Sequence, residues 1–274
     1  MNRNDILQAV QMLYDTCDGN ILVQTGINVF DMPLVGIGSA SDPLFAHFQK
    51  PEVIGPWFLP PTEWLPEAKT VISLFFPFTE EVKKSNRMEK EVPSAFWLYG
   101  RIEGQEYLSA FGSQWVEWFA KQGIAACVPV NDVRFQEISA GNGVSEYACA
   151  SRETFGSNWS ERHAGYVCGL GTFGVSKGLI TEKGMAGRML SIIISEEIQP
   201  DKRNYAEIYE YCTKCGACAE RCPVHAISIK EGKDHTICST WLKKTKELFA
   251  PRFGCGLCQT GVPCESRNPS KNRQ

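Results

Sequence analysis

Apolar residues recur at helical intervals in three segments of the first 200 positions. Ile6, Val10 and Leu13 lie on one face of a predicted surface helix near the N-terminus. A longer helix is predicted over 105–122, and a short one over 160–168. The apolar face of the longer helix is formed by Leu108, Phe111, Trp115, Trp118 and Phe119. These segments predict helices that cover a core rather than isolated helices.

Short continuous apolar runs separate the helical segments and predict buried strands. The predicted strands cover residues 34–38, 69–76, 124–130, 177–181 and 188–195. Helices and strands therefore alternate, and we expect an α/β domain over residues 1–200. The polar segment 196–204, which contains Pro200, predicts a boundary, followed by a second domain over residues 201–274 with a short basic tail.

Composition supports a folded protein of 274 residues, because 43% of its residues are hydrophobic and 22% are charged. No targeting segment is visible, and the longest apolar runs are too short to span a bilayer. We therefore expect a cytoplasmic protein without a membrane partner. The cytoplasm keeps thiols reduced, so the unusual total of 12 cysteines favours metal ligation over disulfides.

Eight of the cysteines are concentrated near the C-terminus. The run Cys212-x2-Cys215-x2-Cys218-x3-Cys222-Pro223 has the spacing of bacterial-type iron–sulfur ligation. Three thiolates two residues apart on a turning loop reach three corners of one cluster, and the fourth points towards a second cluster. Cys238, Cys255, Cys258 and Cys264 complete two sets of four.

The segment 222–227 also resembles the Cys-Pro-x-x-Ala-Ile signature of two-cluster ferredoxins. That resemblance implies crossed ligand sets. Cys264 joins Cys212, Cys215 and Cys218 in one [4Fe–4S] site, and Cys222 joins Cys238, Cys255 and Cys258 in the other. Two zinc sites would use the same residue type but usually pair two separate Cys-x2-Cys knuckles. We interpret His225 and His235 as structural, because eight cysteines already fill two sites.

A glycine-rich segment precedes the cysteines. Gly169-x-Gly171-x-x-Gly174 matches the dinucleotide fingerprint, but that fingerprint follows a strand and opens a helix, whereas here a predicted helix comes first. A plain turn remains an alternative, as does close approach of the backbone to a large flat cofactor. The candidate cofactor-binding residues are Gly169, Gly171, Thr172, Phe173, Gly174, Ser176 and Lys177.

Three segments together resemble the epoxyqueuosine reductase family, which is related to the reductive dehalogenases. They are 64–73, 161–163 with 169–174, and 177–180, followed by the two cysteine motifs. The resemblance covers most of residues 30–264. It implies a nitroreductase-related α/β domain that binds cobalamin and a C-terminal ferredoxin-like domain that reduces the cobalt through two [4Fe–4S] clusters.

The resemblance also implies a proton donor just before the glycine-rich segment. The family's aspartate has no counterpart here, since Phe155 lies close to its position. Glu153 and His163 are our candidate catalytic residues, because a carboxyl or an imidazole can donate a proton near neutral pH. Further candidates on or near the third helix are Glu146, Tyr147, Arg152, Glu161, Arg162 and Tyr166.

These features predict an iron–sulfur oxidoreductase that passes electrons to a cobalamin and then to a small molecule. The alternatives are a ferredoxin-type electron carrier and an activator that reduces a corrinoid for another enzyme. We expect an electron donor such as a ferredoxin or a flavodoxin. We expect no tRNA partner, because two clusters would take the formal charge of −3 to about −7.

Overall fold

The computed structural model of the chain describes residues 1–23, 25–139 and 155–273. Its helices are α1 (Arg3–Thr16), α2 (Pro43–His47), α3 (Pro61–Trp64), α4 (Glu80–Arg87), α5 (Ala95–Ala120), α6 (Glu161–Val167), α7 (Ala217–Glu220) and α8 (His235–Phe249). Its strands are β1 (Ile21–Leu22), β2 (Ile27–Asn28), β3 (Leu34–Ser39), β4 (Thr70–Pro77), β5 (Ala126–Cys127), β6 (Glu137–Ser139), β7 (Phe155–Ser157), β8 (Gly171–Phe173), β9 (Leu179–Thr181), β10 (Gly187–Ile194), β11 (Ile227–Ser228) and β12 (Gly232–Lys233). The predicted mixed α/β class is thereby confirmed.

A four-stranded antiparallel sheet in the order β3-β4-β10-β5 forms the centre of the molecule. Every residue of β4 is buried, because helices cover both faces of the sheet. Ile72, Leu74 and Phe76 pack towards α1 and α5. Val71 packs with α6 on the opposite face. The strand is therefore almost continuously apolar, as its position in the middle of the sheet requires.

Helix α5 lies close to the rings of Phe30 and Phe78 because two of its interface positions are glycines. A Cβ atom added at Gly100 would stand 2.6 Å from the ring of Phe78, and one added at Gly104 would stand 2.9 Å from the ring of Phe30. The same face buries Phe111 and Trp115. Small and large residues thus alternate along one helix face so that aromatic rings fit against the backbone.

The predicted elements are present, with two differences in length. Helix α5 begins ten residues before the predicted start, because the Ser94 hydroxyl caps it by accepting the Trp97 N–H at 3.1 Å. The strand predicted over 124–130 is confined to Ala126–Cys127, because a 3-10 turn begins at Pro129. Proline favours such a turn and cannot donate to a sheet.

The segment that follows residue 200 packs back on the α/β region. The Asp201 N–H donates to the Ile37 carbonyl at 2.8 Å, and the Tyr211 N–H donates to the Thr172 hydroxyl at 2.8 Å. At the C-terminal end, Lys271 pairs with Glu182 at 2.7 Å. The cysteine-rich region is therefore attached at both of its ends. Among the described helices, none combines the length and the apolar character needed to cross a bilayer.

Candidate iron–sulfur centre and adjoining recess

Four of the predicted ligands line one small cavity. Cys212, Cys215, Cys218 and Cys264 face this space, which is also bounded by Val262. Charge on the first three would raise the pKa of Cys264, in addition to the larger effect of burial. The chain thus brings the late cysteine to the early run, which we call the first cysteine set.

Left-handed backbone turns shape this cavity. Lys214 and Gly216 have φ values of 51° and 84°, so the chain reverses on either side of Cys215. Cys218 lies at the start of α7, and backbone N–H groups of its own turn lower its pKa against the larger effect of burial. Cys264 is fixed from the other side, since its carbonyl accepts the Met185 N–H at 2.9 Å. N–H groups directed at sulfur favour thiolate and tune a bound cluster.

The other four ligands, Cys222, Cys238, Cys255 and Cys258, form a second cysteine set. Cys238 lies on α8, and Gly256 turns the chain with a φ of 70° between the last two. Burial raises the pKa of Cys255, and charge on Cys238 and Cys222 would raise it further. For Cys258 burial raises the pKa to about 12, with further contributions from Cys255 and Cys238. Cysteines of both sets border the same buried apolar group, so the two sets are neighbours.

Burial of the thiols makes both sets dependent on a ligand. It raises the pKa of Cys264 to about 12 and that of Cys218 to about 11, so the free thiols are protonated at neutral pH. A metal must displace these protons and supplies the charge that stabilises thiolate. In the described part of the chain, no three His, Cys, Asp or Glu side chains converge on a point suited to one metal ion.

The glycine-rich segment lies between the sheet and the cysteines. Gly171 and Thr172 belong to β8, where a Cβ atom at Gly171 would stand 1.9 Å from the Ile180 carbonyl oxygen. Phe173 is buried and contacts His163 with ring centroids 4.8 Å apart. Strand pairing alone therefore explains Gly171.

The remaining candidates of this segment face the cysteine-rich region. Gly174 and Ser176 line the first cavity. Lys177 has a φ of 63°, and its ammonium donates to the Tyr209 hydroxyl at 3.3 Å. Gly169, with a φ of 83°, ends the turn after α6. The segment thus borders the first cysteine set.

The two candidate catalytic residues have different positions. Glu153 lies outside the described residues. His163 lies on α6 with its ring between Phe48 and Phe173, and its Nδ1 atom is 2.7 Å from the Ser160 hydroxyl. Burial lowers the pKa of His163 to about 3, with smaller contributions from Arg162 and Lys177. The imidazole is therefore neutral near pH 7, which disfavours it as a proton donor.

Glu161, a further candidate, has a buried carboxyl group beneath α6. Neither oxygen has a hydrogen-bond partner within the described residues. Burial raises its pKa to about 7, although Ser191 and Trp159 favour the ionised form. The Trp159 indole instead donates to the Ser191 hydroxyl at 2.9 Å. Glu161 therefore retains a proton close to neutral pH, which the sequence alone did not indicate.

Helix α6 presents an exposed arginine near the second cysteine set. Desolvation lowers the pKa of Arg162, whereas charge on Cys258 and Cys238 raises it. His225, Lys233 and His235 border an open cavity of about 360 Å³. We call this cavity, together with the exposed side of α6, the recess.

Sequence comparison gives one matching family model and curated relatives that are reductive dehalogenases. Residues 205–228 match the family described as "4Fe-4S binding domain". A tetrachloroethene reductive dehalogenase of Desulfitobacterium hafniense is 30% identical over 105 residues, which are 36% of this chain and 19% of that protein. The corresponding enzyme of Dehalobacter restrictus is 30% identical over 103 residues, or 35% and 19%. The matched segment spans about a fifth of these curated relatives.

Structural comparison gives relatives of the same kind. A catabolic reductive dehalogenase in complex with 3-bromo-4-hydroxybenzoic acid has a TM-score of 0.52 at 13% identity, covering 88% of this chain and 31% of that one. An epoxyqueuosine reductase from Streptococcus thermophilus has a TM-score of 0.49 at 14% identity, covering 97% and 68%. The resemblance expected from the sequence is confirmed as a similarity of fold to the dehalogenase.

Proposed function

We propose that the protein is an iron–sulfur oxidoreductase that carries two [4Fe–4S] clusters and uses a corrinoid. The first cluster is held by Cys212, Cys215, Cys218 and Cys264, and the second by Cys222, Cys238, Cys255 and Cys258. The observation that carries this proposal is the cavity lined by the first four of these thiols, because it joins a late cysteine to the early run. The proposed division places the cofactor domain at 1–200 and the cluster domain at 201–274.

Electrons enter this pathway at the first cluster. Cys215 is exposed, whereas Cys218 and Cys222 are buried. A redox partner can therefore approach the first set through Cys215. The proposed donor is a small electron carrier such as a ferredoxin or a flavodoxin. The proximity of Cys218 to Cys258 supports transfer between the two clusters.

The recess beside α6 is the proposed corrinoid site, in an α/β domain of the nitroreductase-related kind. A corrinoid supplies a strongly reducing cobalt centre that can cleave a bond in a bound substrate. Arg162, on which charge of Cys258 and Cys238 acts, and Lys177 are the cations that would bind polar groups of the cofactor rim. Glu153 remains a proposed proton donor, while the environment of His163 suits packing against Phe48 and Phe173.

Anaerobic purification in the presence of hydroxocobalamin tests this proposal. We expect about eight iron atoms per chain and the absorption spectrum of a base-off corrinoid. Reduction of the cobalt by dithionite-reduced ferredoxin should require intact clusters. Full iron content without corrinoid uptake would favour the electron carrier instead. Corrinoid reduction without substrate turnover would favour the activator. Zinc in place of iron would refute the oxidoreductase, the electron carrier and the activator alike.

A further inference from the structure

A methionine of the α/β region lies directly beside a ligand of the first cysteine set. The Met185 Sδ atom is 3.3 Å from the Cys264 Sγ atom. Met185 is buried in the turn between β9 and β10, and Cys264, the last of the eight proposed ligands, lines the first cavity. The two sulfur atoms are in direct contact, so a change of side chain at residue 185 acts on the ligand itself.

Backbone hydrogen bonds fix this contact. The Met185 N–H donates to the Cys264 carbonyl at 2.9 Å and to the Glu265 carbonyl at 3.2 Å. The Ala186 N–H donates to the Glu265 carbonyl at 3.1 Å. Gly184, with a φ of 80°, turns the chain into this position, and an added Cβ atom there would overlap the Glu265 carbonyl group. The backbone of the turn is therefore held against the last ligand.

The methionine side chain occupies a fitted apolar space. A Cβ atom added at Gly178 would overlap the Met185 methyl group, so the glycine leaves the space that this methyl group fills. Met185 and Ile180 belong to one buried apolar group, and Cys212 and Cys264 border that group. Ile180 also lines the first cavity. Two of the four proposed ligands of the first cluster thus share one apolar wall.

A thioether in this position affects the reduction potential of a bound cluster. Reduction adds one negative charge to a [4Fe–4S] cluster, and hydrogen-bond donors or water near its sulfur atoms stabilise that charge. The methionine side chain has no proton to donate to a thiolate, and it fills the space that water would need. It therefore disfavours the reduced state at Cys264. At Cys215, which is exposed, water acts in the opposite sense.

We propose that Met185 is a positioning residue that keeps hydrogen-bond donors away from the Cys264 sulfur and thereby keeps the reduction potential of the first cluster low. This inference rests on the proposed function, because a strongly reducing cobalt centre needs an electron donor of low potential. Since Met185 belongs to the turn between β9 and β10, the α/β region itself would set the potential at which electrons enter the pathway.

A redox titration of the full chain with both clusters, followed by electron paramagnetic resonance and performed without corrinoid, tests the proposal. Met185→Gln places an amide donor beside Cys264, and Met185→Ala leaves space that water can enter. Each should raise the ratio of reduced to oxidised first cluster at a fixed solution potential by about threefold to tenfold. Met185→Leu keeps the apolar volume and should leave this ratio unchanged. Met12→Gln, at an exposed position of α1, is the matched control.

The signal that shifts should be the one that Cys218→Ala removes, because Cys218 belongs to the same set. An equal shift in Met185→Leu would mean that packing rather than donor chemistry sets the potential, and it would overturn the proposal. Unchanged potentials in Met185→Gln and Met185→Ala would also overturn it. If the glutamine prevents cluster assembly, the alanine and leucine variants still provide the comparison. If the potential shifts as expected but no corrinoid binds, the proposed corrinoid chemistry fails while the role of Met185 stands.

Discussion

The α/β region and the cysteine-rich region are stabilised in different ways. The sheet buries large side chains on both faces, among them Phe76, Phe111 and Trp115. The buried apolar groups around the cysteines are small: one contains Val175, Ile227 and Val262, and the other contains Ile180, Met185 and Tyr211. Helix α8, although 15 residues long, buries only Thr245. The α/β region is stabilised by apolar packing, whereas we expect the cysteine-rich region to depend on metal bound by its cysteines.

The largest expected effect comes from removal of iron. Oxidative treatment with a chelator should unfold the loops around both cysteine sets, because structural metal sites contribute directly to folding free energy. Amide hydrogen exchange should become fast over residues 212–264 and remain slow in β4 and β10. Fast amide exchange in β4 and β10 as well would mean that the two regions unfold as one unit. It would contradict the view that they are stabilised in different ways.

Trp115→Ala should destabilise the α/β region and leave the cysteine-rich region unchanged. The indole is fully buried between Phe111 and Phe119 on α5. Its loss leaves a cavity and should lower the free energy of unfolding of the α/β region by about 3–5 kcal/mol. Urea denaturation followed by far-ultraviolet circular dichroism measures this change. Iron content at low urea should match the unmodified protein, and Trp118→Ala, on a less buried position of the same helix, should cost less.

Arg221 connects the two regions, and its replacement should have a smaller effect. Its guanidinium donates to the carbonyls of Glu89 at 2.9 Å and Asn86 at 3.2 Å near α4, and to that of Thr260 at 3.1 Å. Arg221→Met leaves these carbonyls without this donor. It should weaken the packing of the cysteine-rich region against α4 by about 1–3 kcal/mol. The expected result is faster exchange at residues 257–262 while β4 is unchanged. Equal acceleration in β4 would contradict this role.

Glu161→Gln should change the pH dependence of stability by the smallest amount. Burial raises the carboxyl pKa from 4.5 to about 7 in the folded protein, so folding favours the protonated form. Its contribution is present below pH 4.5 and is lost as the pH rises through 7. The glutamine variant should lack this decline in the free energy of unfolding. Its stability relative to the unmodified protein should therefore increase between pH 5 and pH 8. Parallel stability curves over that interval would contradict the assignment.

The sequence predicted local features better than long-range ones. The cysteine spacing and the helix before Gly169 could be recognised because their geometry is set within a few residues. The start of α5 was placed too late, since the capping role of Ser94 is a weak signal beside a strong apolar face. The contact of Arg188 with Gln105 could not be recognised, because the two residues meet only in the folded chain. Burial of Glu161 likewise depends on how α6 crosses the sheet.

Counting intact clusters in two double variants tests the crossed ligand sets most directly. Cys218→Ala with Cys264→Ala damages one proposed site, whereas Cys218→Ala with Cys258→Ala damages both. Electron paramagnetic resonance of the reduced proteins should therefore give about one [4Fe–4S] spin per chain for the first pair and none for the second. Cys127→Ala, which removes a thiol outside both sets, is the control and should retain both clusters. Loss of both clusters in the first pair, which uncrossed ligand sets would give, would contradict the account.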